Sequence, residues 1–111
     1  MNAAEALKMV EGIPAENFIK WNSTNGIDKC CFLGHHSRLT SDNPDDYSND
    51  NCDGGRFSEI YEASQLYCQK NFFRGLSIVD INDTQNIYQY TEPEIKDRLT
   101  HFLTDMINAG Y

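Results

Sequence analysis

Cysteine and histidine side chains, which bind zinc and activate nucleophiles, are concentrated in one stretch of this sequence. Cys31 and His35 lie four residues apart, a spacing that puts both on one face of a helix. Cys52 and Cys68 are available from elsewhere in the chain, and zinc accepts such nitrogen and sulfur ligands. No two cysteines are separated by two residues, however, and that pair is the dependable mark of a structural zinc site. The pattern favours buried thiols and ordinary histidines, and we expect no metal or other cofactor.

A thiol nucleophile is a second possibility, because Cys30 and Cys31 fall where a helix is predicted to begin. A helix N-terminus lowers the pKa of a thiol. His101 would act as the base, and Asn82 or Asp83 would orient it. These orienting residues precede the histidine, whereas cysteine, histidine, then acid or amide is the expected order. A cysteine-dependent enzyme therefore remains an alternative, and the favoured interpretation is a protein that is not an enzyme.

Calcium binding is suggested by alternating oxygen-bearing side chains at Asn49, Asn51 and Asp53, followed by Gly54. This order matches the first half of a calcium-binding loop. The twelfth position of such a loop needs a bidentate acid, and here it is Ile60. A hydrated turn rich in Asn and Asp is the simpler interpretation.

A nucleotide pocket has even less support, because the sequence contains neither a G-x-x-x-x-G-K-[ST] nor a G-x-G-x-x-G motif. Two adjacent glycines before Arg56 and a predicted helix give a weak indication of an anion-binding helix start. A protein that binds a small nucleotide or signalling ligand is therefore kept as an alternative function.

Negative charge is the strongest functional signal. Seven acids and a single base lie between residues 42 and 62, so this window carries six of the eight net negative charges. Such a cluster, interleaved with Tyr47 and followed by Tyr61 and Tyr67 on the next predicted helix, would imitate a nucleic acid and occupy a basic groove of another protein. The simpler alternative is a solvated loop whose charge keeps the protein soluble. The predicted partner-binding residues are Asp42, Asp45, Asp46, Tyr47, Asp50, Asp53, Glu59 and Glu62.

Length, composition and charge limit which of these functions are possible. A chain of 111 residues with 40% hydrophobic residues is expected to form a single domain, residues 1–111, around one modest core. A net charge of −8 argues against direct nucleic-acid binding, since that gains affinity from clustered Lys and Arg. The N-terminus lacks a secretory signal pattern, and no apolar run would span a bilayer, so we expect a cytoplasmic protein with reduced thiols.

Helical periodicity dominates the rest of the chain. It predicts helices over residues 2–11, 14–21, 28–39 and 56–71, and a last helix after Thr91 in which Thr91 and Glu94 form a capping box. Residues 41–55 have no periodicity and are predicted to be an acidic loop. The sequence SIVDI at 77–81 suits a strand, and a turn at 82–85 would pair it with residues 86–90. These elements predict a mostly helical α+β domain with a short β-hairpin before the C-terminal helix.

Several short motifs resemble those of a loosely defined family of small phage, prophage and mobile-element proteins. They are Trp21, the segment C-F-L-G at 31–34, the segment S-I-V-D-I-N-D at 77–83, and a closing helix of the form E-I-x-D-R-L-x-x-F-L. Ile81 stands where that family often has Trp, and the family offers no catalytic residues to transfer. The resemblance implies an inhibitor of a host nucleic-acid-handling defence complex, similar to an anti-CRISPR protein, acting in the host cytoplasm.

Overall fold

Helices account for the regular structure that we observe. The computed structural model describes residues 1–20, 29–40 and 58–111. The helices are α1 (Ala3–Glu11), α2 (Phe32–Thr40), α3 (Glu59–Asn71), α4 (Ile78–Asp83) and α5 (Ile95–Asn108), with a 3-10 turn over Ala15–Asn17. In these three ranges no β-strand forms. Two isolated β-bridges occur in them, one joining Phe18 to Cys30 and one joining Ile87 to Tyr90. The predicted α+β class is therefore wrong, because the described architecture is α-helical.

The predicted hairpin fails at its first strand, which is α4. Ser77 and Asp80 form a capping box: the Ser77 hydroxyl accepts from the Val79 amide at 3.2 Å, and the Ser77 amide donates to Asp80 Oδ2 at 2.8 Å. Ile78 and Ile81, three residues apart, are both fully buried. Capping and burial on one helical face therefore outweigh the β propensity of Ile and Val.

The predicted second strand is a tight turn instead. The Tyr90 amide donates to the Ile87 carbonyl at 3.0 Å, and the Asn86 amide donates to the Tyr90 carbonyl at 3.1 Å. Asn86 and Tyr88 both have positive φ values, 69° and 54°. A strand cannot contain residues in this left-handed region, so the chain folds back on itself here rather than extending.

The first predicted helix is confirmed as α1, whereas the second predicted helix is shorter than expected. The Asn2 side chain accepts from the Glu5 amide at 2.9 Å, Glu5 returns the bond to the Asn2 amide, and Gly12 ends the helix. The helix predicted over residues 14–21 is a single 3-10 turn in its described part. Phe18 follows that turn and is buried. The amide of the next residue, Ile19, donates to the Cys30 carbonyl at 3.1 Å, which holds this segment beside Cys30.

The long amphipathic helices are predicted well, with shifted starts. α2 begins at Phe32 and α3 begins at Glu59, where the Ser58 hydroxyl accepts from the Tyr61 amide at 3.3 Å. The apolar stripe of α5 is confirmed, but the Thr91 and Glu94 capping box is wrong, because Glu94 occupies the N-cap without a side-chain hydrogen bond. At the other end Gly110 adopts φ +93°, which lets the Tyr111 amide reach the Met106 carbonyl at 2.9 Å. The fully buried apolar residues of the stripe are Leu99, Phe102, Leu103 and Met106.

A buried arginine joins α5 to α4. Arg98 lies between apolar neighbours on α5 and is 0% exposed. Its Nε and Nη2 atoms donate to the carbonyls of Ile81 and Asn82, at 2.9 and 2.8 Å, near the C-terminus of α4. Its Nη1 atom donates to the carbonyls of Glu92 and Pro93, at 2.8 and 3.0 Å, just before α5. The guanidinium thus satisfies two carbonyls of the last turn of α4 that have no intrahelical partner and two carbonyls of the segment that leads into α5.

Asn82 continues this connection toward the N-terminal half of the chain. Its Oδ1 atom accepts from the Phe32 amide at 3.0 Å, so it supplies the first residue of α2 with a hydrogen-bond partner from another helix. Its Nδ2 atom donates to the Ile19 carbonyl at 3.0 Å and to Asp83 Oδ1 at 2.9 Å. One Arg–Asn pair therefore fixes α5, α4, α2 and the segment after the 3-10 turn relative to one another.

Replacing this arginine should test how much stability the network supplies. In Arg98→Leu, two buried carbonyls and two part-buried carbonyls lose their donor, and we expect the free energy of unfolding to fall by about 3 kcal/mol or more. Urea denaturation followed by circular dichroism measures the change. Lys8→Leu, at an exposed position of α1, is the matched control and should stay within about 0.5 kcal/mol of the parent. A loss below about 1 kcal/mol in Arg98→Leu would show that the carbonyls find other donors.

Candidate functional site

The acidic surface is described at its C-terminal end, on α3. Glu59 and Glu62 are exposed and lie in the first turn of this helix. The Glu59 carboxylate also accepts from the N-terminal ammonium of Met1 at 3.1 Å, although its side chain stays 67% exposed. The other predicted partner-binding residues lie outside the described ranges: Asp42, Asp45, Asp46, Tyr47, Asp50 and Asp53.

The position of these two acids has a local structural cause. Carboxylates in the first turn of a helix interact favourably with the unpaired amides and the positive end of the helix dipole, by about 0.3 to 1 kcal/mol each. Ile60, which lies between the two acids in the sequence, is fully buried in the core, whereas Glu59 and Glu62 lie on the solvent-exposed side of the helix. Ile60 is also the twelfth position of the proposed calcium loop, so an apolar core residue stands where that loop needs an acid.

Two of the tyrosines expected to support stacking are not on an open surface. Tyr67 is only 6% exposed and packs edge-on against Phe102 and Tyr111, with ring centroids 5.5 and 5.6 Å apart. Tyr61 is half-buried against the core. The prediction that both tyrosines contribute to a stacking surface is therefore wrong for Tyr67, whose ring belongs to the core.

The histidines of α2 are part of the core as well. His35 is 4% exposed, and its Nε2 atom lies 2.8 Å from the Asn17 carbonyl, which can only accept, so Nε2 carries the proton. Its ring packs edge-on against Phe18 at 4.9 Å. Burial lowers the pKa of His36, and the positive charge of the N-terminus lowers it further. Among the residues that the structure describes, no group of three or more Cys, His, Asp or Glu side chains could hold a metal ion.

The described thiols are inside the protein. Cys30, Cys31 and Cys68 are 1%, 7% and 0% exposed, and all three are free of disulfide bonds. Burial raises the pKa of Cys68 to about 12, and the negative charge of Asp80 adds to this. A high pKa suppresses the thiolate, which is the nucleophilic form. Cys68 is thus a small apolar core residue.

A polar cluster that sequence reasoning missed lies where the turn before α5 meets that helix. The hydroxyl of the fully buried Tyr90 donates to Asp105 Oδ2 at 2.8 Å, and it lies 3.4 Å from the Tyr67 hydroxyl. Gln89 Nε2 donates to the same Tyr90 hydroxyl at 3.2 Å. Burial raises the pKa of Tyr90, and its hydrogen bonds to Tyr67 and Asp105 raise it further. The hydroxyl is therefore held in its neutral, hydrogen-bonded form.

His101 sits between two carboxylates in this cluster. Its Nδ1 atom lies 2.6 Å from Glu92 Oε1, and its Nε2 atom lies 3.4 Å from Asp105 Oδ2. The carboxylates that orient this imidazole are therefore Glu92 and Asp105, and the residues predicted to do so, Asn82 and Asp83, bond elsewhere. An oriented histidine is one part of a nucleophilic site. The hydroxyl nearest to it in the cluster, that of Tyr90, is buried and bonded, so the described arrangement serves to fix the turn onto α5.

An open cleft runs along the exposed side of α3. Its volume is about 460 Å³. Among its described lining residues Arg74 is the only basic one, and a triphosphate would need several such groups or a row of helix-start amides. The cleft is therefore poorly suited to the small-nucleotide alternative. It is lined by Glu62, Gln65, Leu66, Gln69, Arg74 and Gly75.

Comparisons with known proteins do not assign a function, so a function can be inferred only from the side chains described above. No family model matches the sequence, and no curated protein or solved structure is significantly similar to it. None of the helices in the described ranges has the length and apolar character needed to cross a membrane.

Cysteine burial makes a prediction that also tests the thiol-enzyme alternative. At neutral pH, iodoacetamide should label Cys30, Cys31 and Cys68 slowly in the folded protein and rapidly in denaturant. For Cys68 the shift of pKa from 9.0 to about 12 alone lowers the thiolate fraction about a thousandfold. Mass spectrometry of labelled peptides resolves each cysteine, and the denatured sample is the control. Fast labelling of Cys30 or Cys31 in the folded protein would support a reactive thiol.

The buried tyrosine and cysteine predict a loss of stability in alkali. Because the pKa values of Cys68 and Tyr90 are raised in the folded state, the unfolded chain releases these protons first. Stability is therefore fully present below about pH 9 and falls at higher pH by about 1.4 kcal/mol per pH unit for each group, from about pH 9 for Cys68 and from about pH 10 for Tyr90. In Tyr90→Phe the decline should be shallower by one proton, whereas Tyr88→Phe, at an exposed tyrosine, should leave the slope unchanged. Urea midpoints from pH 8 to pH 11 measure this, and equal slopes in both variants would contradict it.

Proposed function

We propose that this protein is a non-enzymatic binding protein that occupies a basic surface of a host nucleic-acid-handling defence complex. A CRISPR effector is the kind of complex that fits, and the mechanism is competition with nucleic acid for a basic groove in the host cytoplasm. The contacts that we assign to it are electrostatic, with Tyr47 as an aromatic anchor. The charged contacts are Asp42, Asp45, Asp46, Asp50, Asp53, Glu59 and Glu62.

The observation that carries this proposal is the concentration of charge. Six of the eight net negative charges lie within residues 42–62, and the part of this window on α3 presents its two acids to solvent. A cluster of one sign steers an oppositely charged partner and raises the association rate by about 10- to 1,000-fold at low salt. A nucleic-acid groove offers the matching positive potential, because it is built to neutralise phosphates.

The assignment of the polar interior groups supports a surface function over catalysis. The thiols of Cys30 and Cys31 just before α2 and the imidazoles on α2 are buried, and the oriented imidazole of His101 belongs to a cluster that anchors a turn. Catalytic sites need such groups in a cleft that a substrate can enter. The two described acids of the window, Glu59 and Glu62, are instead exposed, where a macromolecular partner can make contact.

Reversing part of the charge tests the proposal. In Asp42→Lys/Asp45→Lys/Asp46→Lys we expect association with the basic host complex to slow by at least about tenfold at low salt, with a weaker dependence on ionic strength. Surface plasmon resonance at several salt concentrations measures both. The matched control, Glu11→Lys/Glu16→Lys/Glu94→Lys, makes the same change of net charge at exposed positions outside the window.

The control separates local contacts from overall charge. If both triple variants lose affinity equally, the net charge of −8 is responsible and the window has no special role. If the window variant binds with unchanged rate and salt dependence, the acidic-surface proposal is wrong.

A further inference from the structure

The outer face of α3 is an exposed surface that neither the core nor the partner-binding proposal explains. Leu66 stands near its middle with 59% of its surface exposed, the largest exposure among the big apolar side chains of the described ranges. Toward the N-terminus the face carries Glu59 and Glu62, and toward the C-terminus it carries Lys70 and, just past the helix, Arg74. An exposed leucine between an acidic and a basic half is an unusual solvent face.

The charge order alone has a local explanation. Acids at a helix N-terminus and bases at its C-terminus both complement the helix dipole. That effect does not account for Leu66, since a polar side chain at this position would serve the dipole equally well. It also does not account for the open cleft of about 460 Å³ that runs beside Leu66, between Glu62 and Arg74. A single exposed leucine is common on protein surfaces, but this one borders a cleft that a side chain of a partner can enter.

The charges of the face indicate which partner. The described side chains of the face are two acids and two bases, with the Met1 ammonium already paired to Glu59, whereas the whole chain carries −8. A strongly basic partner would meet Lys70 and Arg74, and a nucleic acid would meet Glu59 and Glu62, so each would be repelled by half of the face. A second copy turned end to end meets opposite charge at both ends. Isologous interfaces have this self-complementarity, because each patch contacts its own symmetry mate.

We propose that two copies of this protein associate through an antiparallel pair of α3 helices around a two-fold axis close to Leu66. The acidic half of each helix then faces the basic half of the other, and each Leu66 lies against the cleft of its partner. Phe73, beside Arg74 and 53% exposed, extends the apolar area at the basic end. One helix face with a few neighbouring side chains is smaller than a standard interface of about 1,600 Å², so the dimer is weak and forms at high concentration.

This inference does not depend on the proposed inhibitor function. Its test uses the purified protein alone, whereas the inhibitor function is tested with acids at 42, 45 and 46 and a host complex. The two surfaces share Glu59 and Glu62. A dimer through this face therefore covers these two acids.

Charge reversal on each half of the face gives a selective experiment. The variant Glu59→Lys/Glu62→Lys has an all-basic face, and Lys70→Glu/Arg74→Glu has an all-acidic face, so each variant should be monomeric at concentrations where the parent dimerises. An equimolar mixture of the two should form a heterodimer, because each face meets its opposite. Analytical ultracentrifugation from micromolar to near-millimolar concentration measures all four samples, with one variant carrying a fluorescent label in the mixture.

Controls exclude effects of net charge and of folding. Glu11→Lys/Glu16→Lys and Lys8→Glu/Lys20→Glu make the same changes of charge at exposed positions away from α3 and should dimerise like the parent, whereas Leu66→Asp should be monomeric. Recovery of association in the mixture cannot arise from unfolding of either variant. A parent protein that stays monomeric throughout, or variants that dimerise alone but do not pair with each other, would overturn the proposal.

Discussion

The guanidinium of Arg98 is the interaction on which the described structure depends most. It is fully buried, and it bonds four backbone carbonyls from two different segments instead of a carboxylate. Burial lowers the pKa of Arg98, while the charges of Glu92 and Asp83 act in the opposite direction. A charge removed from water costs several kcal/mol unless its hydrogen bonds are satisfied. The turn before α5 and the end of α4 must therefore stay in place around it.

Other buried polar side chains also form hydrogen bonds that join separate segments of the chain. Asn82 supplies the start of α2 with an acceptor, and the Ser64 hydroxyl accepts from the Ile78 amide at 3.0 Å, so both join separate helices. Tyr90 ties its turn to α5 through Asp105. Because each of these groups has a structural role, the described features left for function are the exposed side chains on the outer face of α3, which include Glu59 and Glu62 of the acidic window.

Local signals in the sequence are enough for the elements whose ends are capped nearby. Asn2, Glu5 and Gly12 specify α1, and the apolar stripe specifies α5. The failed hairpin shows the limit of this reasoning. Ile78, Val79 and Ile81 have the β-branched side chains of a strand, and the capping box at Ser77 and Asp80 was the competing signal that decided the structure.

Long-range partners could not be read from the sequence. Arg98 has the appearance of a solvent-facing helix residue in the segment D-R-L, and its burial follows from carbonyls 16 and 17 residues earlier in the chain. Tyr90 and Asp105 likewise meet only after the turn has closed. The charge concentration in residues 42–62 needs no folding information, so the main functional hypothesis was accessible from the sequence, whereas the self-complementary face of α3 required exposures that only the fold defines.

The central claim is that this protein acts through its exterior, at the acidic window. Amide hydrogen exchange of the protein, free and bound to a purified host nucleic-acid-handling complex, tests it most directly. The account predicts that protection on binding is confined to peptides covering residues 42–62, with the turn and helix around Tyr90 and His101 unchanged. Protection centred on residues 90–105, with none in the acidic window, would contradict it.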